Sequence, residues 1–346
     1  MTTGGRHGIE VHVMRGGTSR GPVLLGADLP AAGPQRDSAV LRLVGDGPSL
    51  VDGLGGGSPT TAKIVLVHPA DPGEDVDFSY QVGNIVIGAG RVDWSGTCGN
   101  MTATVPLFAL ERGLIAQDRR GAVRLRNLST GGIIECDLST QADHAPGRPA
   151  CVRTAYLDPV GAVLGAMLPT GAASDVLEAG GRRVAASIID ISHPYLFLDH
   201  DEIVGDGDVG DPAIVAFIEA IRGEASYRLG QAPSAAAAMD ASPAVPRVVL
   251  LHRQGAGDDV AITALSMGQV ISSVPVTAAL CLAGARTIAG TLPSLMTGTA
   301  SASGDIVVSS SASTLTAGVE LAGNGGIRSV SVSRTTRTIM AGRAWI

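Results

Sequence analysis

VPVTAALCLAGARTI, residues 274–288, is the stretch that decides the fold. Apolar side chains recur around nearly the whole circumference of the helix that it predicts, so other elements must bury this helix on most sides. Pro275 is expected in the first turn, where its missing N–H costs no hydrogen bond. Cys281 falls mid-helix among Ala and Leu, which indicates packing rather than chemistry. The stretch therefore predicts a central helix with other elements wrapped around it.

A second helix is predicted over residues 99–112, with Gly113 ending it. Thr97 or Asn100 is expected to cap its start. Pro106 lies inside it, which predicts a kink or a later start, because proline cannot donate a backbone hydrogen bond.

Short β-like runs lie between turns rich in Gly, Pro, Asp and Asn. A surface helix capped by Asp211 is expected to end at Gly223, and residues 232–246 are expected to form a loop. Strands are predicted at residues 9–14, 64–68, 85–87, 133–137, 184–190, 195–199, 248–251, 305–309 and 330–333.

The chain has 346 residues, which exceeds the size at which a single core usually stops growing. Each half offers several strands around one mostly buried helix. We therefore predict an α+β protein of two similar domains, residues 1–184 and 185–346. They meet after the turn Gly180-Gly181-Arg182-Arg183, and the last strand is free to cross back to the first domain.

Charge and aromatic content argue against nucleic-acid binding. The net charge is -7 at pH 7, and the chain has only 4 Phe, 2 Trp and 4 Tyr, whereas nucleic acids require a basic face and stacking rings. No apolar run reaches the roughly 20 residues that span a bilayer, and residues 1–10 lack an apolar signal core. We therefore expect a cytoplasmic protein with no nucleic-acid or membrane partner.

The 25 Lys and Arg side chains include a single Lys, Lys63. Such a bias is typical of GC-rich genomes, which use Arg wherever any positive charge suffices. The Lys that remains then marks a place where Arg cannot serve, because Arg keeps its proton in proteins whereas a desolvated Lys can lose it. The simpler alternative is that one Lys must lie somewhere.

Three polar segments do not have the pattern of packing: MRGGTSRG at 14–21, DGLGGGSPTTAK at 52–63 and VDWSGTCGNM at 92–101. The second is a Gly loop, whose free N–H groups are expected to form an anion-binding concavity. It is not a phosphate-binding P-loop, because Ala62 precedes Lys63 and a strand follows. A flexible Gly turn is the alternative.

Cys98, in the third segment, directly precedes the start of the second predicted helix. Unpaired N–H groups and the positive end of the helix dipole would face an anion there. A thiolate is stabilised at such a position and is able to move a proton or to hydrogen-bond a carboxylate. The alternative is a buried Cys beside a helix cap.

In this order and at these spacings, the three segments resemble the PrpF protein family, which contains 2-methylaconitate cis-trans isomerase, methylitaconate delta-isomerase and 4-oxalomesaconate tautomerase. The resemblance also includes Met267-Gly268 and the closing segment Arg334–Met340. It implies the diaminopimelate-epimerase-like fold, in which two pseudo-symmetric domains each wrap a curved sheet around a central helix, with the site in the cleft between them. The family's proton-shuttling lysine falls on Lys63 and its active-site cysteine on Cys98.

The resemblance implies a cofactor-free isomerase of a small unsaturated di- or tricarboxylic acid. Lys63 would abstract an allylic proton, and Cys98 would act as a second acid or base or orient a carboxylate. Neither cofactor nor metal is expected, the expected partner is a small polycarboxylate, and a homodimer stays open. The substrate would be bound by Arg15, Gly17, Thr18, Ser19, Gly56, Gly57, Ser58, Thr60, Gly99, Asn100, Met101, Ser273 and Gly326.

Three positions of the second half depart from the family's pattern: His193, Ser272 and Asn324. They bear on the identity of the substrate, and on the choice between double-bond shift and cis-trans exchange, more than on the reaction class. One alternative is a cofactor-independent epimerase with two opposed thiols, for which Cys281 is the only candidate second thiol. The other is a non-catalytic protein that binds small acids on the same scaffold.

Overall fold

The structure is a computed structural model that describes residues 8–47, 49–94, 98–119, 121–137, 147–253, 259–298 and 303–346. The chain divides into two compact units, Met1–Ala155 with Ser333–Ile346, and Tyr156–Val332. The elements up to residue 157 are β1 (Gly8–Gly16), β2 (Ser19–Leu25), α1 (Pro34–Val44), β3 (Lys63–Pro69), β4 (Phe78–Val86), β5 (Arg91–Asp93), α2 (Gly99–Thr102), α3 (Thr104–Glu111), β6 (Ala122–Asn127), β7 (Ile133–Asp137) and β8 (Ala150–Leu157). Those that follow are β9 (Asp175–Ala179), β10 (Arg182–Ile191), β11 (His193–Asp199), α4 (His200–Ile203), α5 (Pro212–Arg228), α6 (Ala238–Ala241), β12 (Arg247–Leu251), β13 (Asp259–Ser266), β14 (Gln269–Ile271), α7 (Val276–Ala285), α8 (Leu292–Thr297), β15 (Gly304–Ser309), β16 (Thr314–Leu321) and β17 (Ile327–Trp345).

A sheet with a helix on each face forms the first unit. β1 pairs antiparallel with β2 and β17, β2 is parallel to β3, β3 to β5 continue antiparallel, β6 is parallel to β4, and β7 is antiparallel to β6. On one face, α3 is buried throughout residues 104–110, and its Phe108 contacts His12 of β1. On the other face, Val40 of α1 packs in one cluster with Val11 of β1. Adjacent β1 residues thus serve opposite faces, as the pleat requires.

The second unit repeats this arrangement around α7. β10 and β11 are antiparallel, β11 is parallel to β12, β12 and β13 are antiparallel, β13 is parallel to β15, and β16 pairs antiparallel with β15 and β17. Ile189 and Ile191 of β10 pack with α7, whereas Val184 and Ile188 pack with α5. Because helices cover both faces, these strands have near-continuous apolar runs in place of alternation.

Both central helices differ from their prediction, α7 in its bounds and the earlier helix in its continuity. α7 begins at Val276, so Pro275 is its N-cap and lies just before the first turn. The helix predicted over residues 99–112 is interrupted at Ala103, between α2 and α3. Pro106 has no N–H to donate to the carbonyl of Thr102, four residues earlier, which accounts for the break.

The division between the units lies earlier in the chain than the predicted boundary between residues 184 and 185. Gly180 and Gly181 have φ values of 55° and 74° and form the two-residue turn between β9 and β10, in the conformation that such hairpins demand of glycine. Both strands belong to the second unit. The predicted junction is therefore a hairpin inside that unit, while the last residues of β17 belong to the first.

Four helices, α1, α4, α6 and α8, were not predicted, and one predicted helix, α5, is longer than expected; α6 lies within residues 232–246, which were expected to form a loop. α1 was not predicted, although Pro34 in its first turn and Gly45 at its end are recognised start and stop signals. α5 continues past Gly223 to Arg228. Gly223 is a packing glycine and not a stop, because a Cβ there would lie 2.4 Å from the carbonyl oxygen of Ala235.

Candidate active site

The hairpin between β1 and β2 carries the first polar segment against α2. A Cβ on Gly16 would lie 2.0 Å from the Asn100 carbonyl oxygen, and one on Gly17 would lie 2.3 Å from Asn100 Oδ1. The amide of Asn100 donates from Nδ2 to Thr18 Oγ1 at 3.0 Å and to Ser19 Oγ at 3.5 Å. The two glycines thus permit the hairpin to approach α2 closely, and the two hydroxyls hold it there by hydrogen bonds to Asn100. The first and third polar segments form one cluster.

Cys98 is the N-cap of α2 and is half-buried, with Sγ 3.7 Å from Ser19 Oγ. The N–H groups of Gly99–Met101 have no acceptor within the helix. Since α2 is a single turn, the dipole expected from a longer helix is much reduced here. Thr97, one of the two predicted caps, lies outside the described residues.

The Gly loop closes on itself instead of forming an open cradle. Ser58 O accepts from the N–H groups of Thr61 and Ala62, both at 2.9 Å, and Ser58 Oγ bonds to the hydroxyls of Thr60 and Thr61 at 3.0 and 2.8 Å. Gly56 N donates to Thr61 O at 3.2 Å, and Ser58 N donates to Gly56 O at 2.8 Å. The predicted concavity of free N–H groups is therefore not formed at Gly56 and Ser58.

Strand β2 is adjacent to both candidate catalytic residues, Cys98 and Lys63. Ser19 approaches Cys98, and Gly21, two residues further on, lies against Lys63, since a Cβ on Gly21 would be 2.3 Å from the Lys63 carbonyl oxygen. Residues two apart on a strand point to the same face. Lys63 and Cys98 consequently lie on the same face of the sheet, the one covered by α2 and α3.

Lys63 begins β3 and is half-buried. Its Nζ donates to Asn84 Oδ1 at 2.6 Å, and the two residues are direct partners in the ladder between β3 and β4. Asn84 was not among the predicted site residues. Its one signal is an amide side chain directly before the predicted strand 85–87, and that signal is informative only once the register is known.

The two arginines of the first polar segment form hydrogen bonds within the protein itself. Arg15 donates to Gly17 O at 2.9 Å and to Thr335 Oγ1 at 3.0 Å, which ties the hairpin to β17. Arg20, which was not predicted as a site residue, donates to Gly55 O at 3.5 Å and so links β2 to the Gly loop. Substrate binding by Arg15 stays a prediction.

The predicted site residues of the second half lie in the second unit. Ser273 is half-buried just before α7, and Gly326 is exposed in the turn between β16 and β17. The Gly326 N–H donates to Asn324 Oδ1 at 3.0 Å, so Asn324 shapes this turn. Ser272 O accepts hydrogen bonds from the 310–313 turn. Roles for Ser273 and Gly326 in binding stay predictions.

His193, one of the three positions that depart from the family's pattern, is hydrogen-bonded within the second unit. Its Nε2 lies 3.0 Å from the carbonyl oxygen of Ala244. Burial, reinforced by the nearby guanidinium of Arg247 and opposed by the contact with Ala244, lowers the pKa of His193 to about 4. The ring is therefore neutral at neutral pH and donates its N–H to Ala244.

The thiols of Cys136 and Cys281 are fully buried, and burial raises the pKa of both. Cys281 Sγ donates to Ile189 O at 3.6 Å inside the core. It therefore packs, as predicted, and offers no second proton carrier to a two-thiol epimerase. Cys98 is half-buried and Cys151 is exposed.

Across the described ranges, no three His, Cys, Asp or Glu side chains lie together in a way that could hold a metal ion. No helix in the described part of the chain combines the length and apolar character needed to cross a membrane.

Comparison with known proteins identifies related chains over the whole length. The family model described as PrpF protein matches residues 6–346. The 3-methylitaconate isomerase of Eubacterium barkeri is 28% identical across 96% of this chain and 96% of its own. The 2-methyl-aconitate isomerase of Shewanella oneidensis is 31% identical across 82% of this chain and 83% of its own.

Solved structures confirm the predicted fold. A crystal structure of methylitaconate-delta-isomerase superposes with a TM-score of 0.86 at 26% identity, over 99% of this chain and 96% of that one. A hydroxyproline epimerase from Agrobacterium vitis, at 14% identity and a TM-score of 0.53 over 98% of this chain and 91% of its own, shares the fold alone. The diaminopimelate-epimerase-like fold is thereby confirmed.

Proposed function

The chain belongs to the PrpF protein family, and on this premise we propose that it moves a proton within a small unsaturated di- or tricarboxylic acid, with Lys63 as the base. The named relatives are isomerases of such acids, and this chain is an isomerase. The observation that carries the proposal is the shared face of Lys63 and Cys98, related through Ser19 and Gly21 of β2.

The proposed chemistry begins with a hydrogen on a carbon next to a conjugated ene-carboxylate. Its removal is feasible because the carbanion is delocalised into the carboxylate as a vinylogous enolate. Lys63 Nζ, as a neutral amine, takes this proton and becomes an ammonium. Return of a proton to the far allylic carbon shifts the double bond, whereas return to the original carbon after rotation exchanges cis and trans. Each route conserves atoms and electrons and requires no redox partner.

Cys98 is the proposed second group at the reacting acid. Its thiol either returns the proton or hydrogen-bonds a substrate carboxylate, and the adjacent N–H groups of residues 99–101 supply further donors for negative charge. Ser19 Oγ, at 3.7 Å from the sulfur, is buried and orients the thiol.

Proton NMR in deuterated water tests the reaction class. The protein is incubated separately with methylaconitate, aconitate, methylitaconate and oxalomesaconate, and also with amino and hydroxy acids to test the epimerase alternative. Deuterium entering an allylic position, together with the isomerised acid, is the expected result. Deuterium entering only a stereocentre of an amino or hydroxy acid would make the protein an epimerase. No exchange with any acid, but measurable binding, would make it a non-catalytic binder.

A further inference from the structure

Lys63 lies between a residue without a side chain and a residue with a polar one. Gly21 of β2 is its neighbour on one side, and Asn84 of β4 is its ladder partner on the other. Asp93 of β5 is in turn the ladder partner of Asn84. Ladder partners point their side chains to the same face. Asn84 therefore lies between the amine and the carboxylate in one row across the sheet.

The contact to Asn84 differs from the contacts of Arg119 and Arg124 in this unit, both of which bind carboxylates. Arg119 donates to both carboxylate oxygens of Asp77, and Arg124 pairs with Asp75. Lys63 instead donates to an uncharged amide oxygen at 2.6 Å, and within the described residues no carboxylate forms an ion pair with it.

The charge on this partner decides which form of the amine is favoured. A carboxylate at hydrogen-bond distance would stabilise the ammonium, which cannot accept a proton. An amide oxygen holds one N–H of the amine with a weaker bias toward the ammonium, because it carries no full negative charge. A neutral amine has two N–H bonds and one lone pair, so fixing one N–H restricts the directions in which the lone pair can point.

We propose that Asn84 is the positioning residue of Lys63. It orients the amine through a hydrogen bond to an uncharged oxygen, and it lies between that amine and the charge of Asp93 in the row of ladder partners. This inference rests on the proposed function of Lys63 as base. Of the charged groups around the amine, Asp93 shares its face, whereas Arg20 follows the opposite pleat of β2 and reaches the Gly loop. The thiol of Cys98 lies on the same face.

Two substitutions distinguish the orienting role of Asn84 from the effect of its lack of charge. Asn84→Asp keeps the shape of the side chain and replaces its amide with a carboxylate. We expect kcat at pH 7 to fall about tenfold or more, with KM little changed. We also expect the pH dependence of kcat to move to higher pH by about one unit. Asn84→Ala removes the acceptor, so we expect a similar loss in kcat without the shift. The control is Gln81→Glu, which makes the same chemical change in the same strand on the opposite face, where Gln81 contacts Arg36; its kcat should be that of the wild type.

A spectroscopic readout works without turnover. Because Lys63 is the only Lys in the chain, protein labelled with 15N in lysine Nζ gives one side-chain signal. Its titration should move to higher pH in Asn84→Asp and stay in place in Gln81→Glu. Unchanged kcat, rate profile and 15N titration in Asn84→Asp would overturn the inference. If the wild type isomerises none of the acids, the proposed function fails, and the 15N titration alone then decides the role of Asn84.

Discussion

Gly16 and Asn100 approach each other so closely that a methyl group on Gly16 would lie 2.0 Å from the Asn100 carbonyl oxygen. A real Cβ never tolerates that distance, so the β1–β2 hairpin and α2 fit together only because this side chain is absent. The same contact seats the first turn of α2 on the hairpin, next to the backbone that carries Cys98.

Gly16→Ala should therefore damage both stability and activity. Forcing α2 away costs about 1–3 kcal/mol of unfolding free energy, as other overpacked contacts do, and displaces Cys98 from Ser19. Urea unfolding and turnover of the best acid measure the two effects. The matched control is Gly342→Ala in β17, where a Cβ meets nothing within 4 Å. A Gly16→Ala protein as stable and active as Gly342→Ala would contradict the fit.

Lys63→Arg should leave the fold intact and abolish turnover. The longer side chain keeps the positive charge and an N–H for Asn84, but a guanidinium does not give up its proton to become a base. We expect a loss of about 10²-fold or more in kcat, the usual contribution of a general base. Circular dichroism and the melting temperature serve as controls for folding. A variant that retained a tenth of the wild-type rate would exclude Lys63 as the base.

Thiol alkylation of the native protein should discriminate among the four cysteines. Iodoacetamide should modify exposed Cys151 and half-buried Cys98 within minutes, and buried Cys136 and Cys281 only after unfolding, because burial raises the pKa of the latter two thiols. Peptide mass spectrometry assigns the labels. Saturating substrate should protect Cys98 and leave Cys151 reactive; equal protection of both thiols would remove Cys98 from the binding site.

His193 should make the protein less stable as the pH falls from about 6.5 to about 4. Its folded-state pKa of about 4 lies below the ordinary histidine value of 6.5, so in this window the unfolded chain binds a proton that the folded chain does not. Unfolding is then favoured by acid, by about 1–3 kcal/mol across the window.

The variant His193→Asn removes this titration. Urea unfolding at pH 7.5 and pH 4.5 should show a smaller loss of unfolding free energy in the variant than in the wild type. Equal losses in the two proteins would mean that the imidazole does not titrate differently on folding.

The sequence sufficed for features that depend on local composition. A helix apolar on every side, α7, must be buried, and it is. A lone Lys among 25 basic residues attracted attention without knowledge of the fold. Both conclusions follow from the residues themselves, so they needed no knowledge of which strands pair.

Features that depend on pairing over distance were not predictable in this way. Asn84 became part of the candidate site only through its register with Lys63. Gly180-Gly181 is as compatible with a domain junction as with a hairpin until β9 and β10 are seen to pair across it. The N–H of Gly56 was expected to be free, because nothing in the sequence shows that Thr61 O comes within 3.2 Å of it.

Strand β17 has a consequence for the order in which the chain can fold. Its residues Thr336–Trp345 pair with β1, so β1 stays without this partner until β17, far later in the chain, has been synthesised. Until Ser333–Ile346 leaves the ribosome, β1 is an edge strand with one row of unpaired backbone groups, a template for wrong partners. The second unit, Tyr156–Val332, is by then fully emerged or nearly so. A nascent chain stalled before residue 333 should therefore depend on chaperones to shield β1, and a chain released there should aggregate.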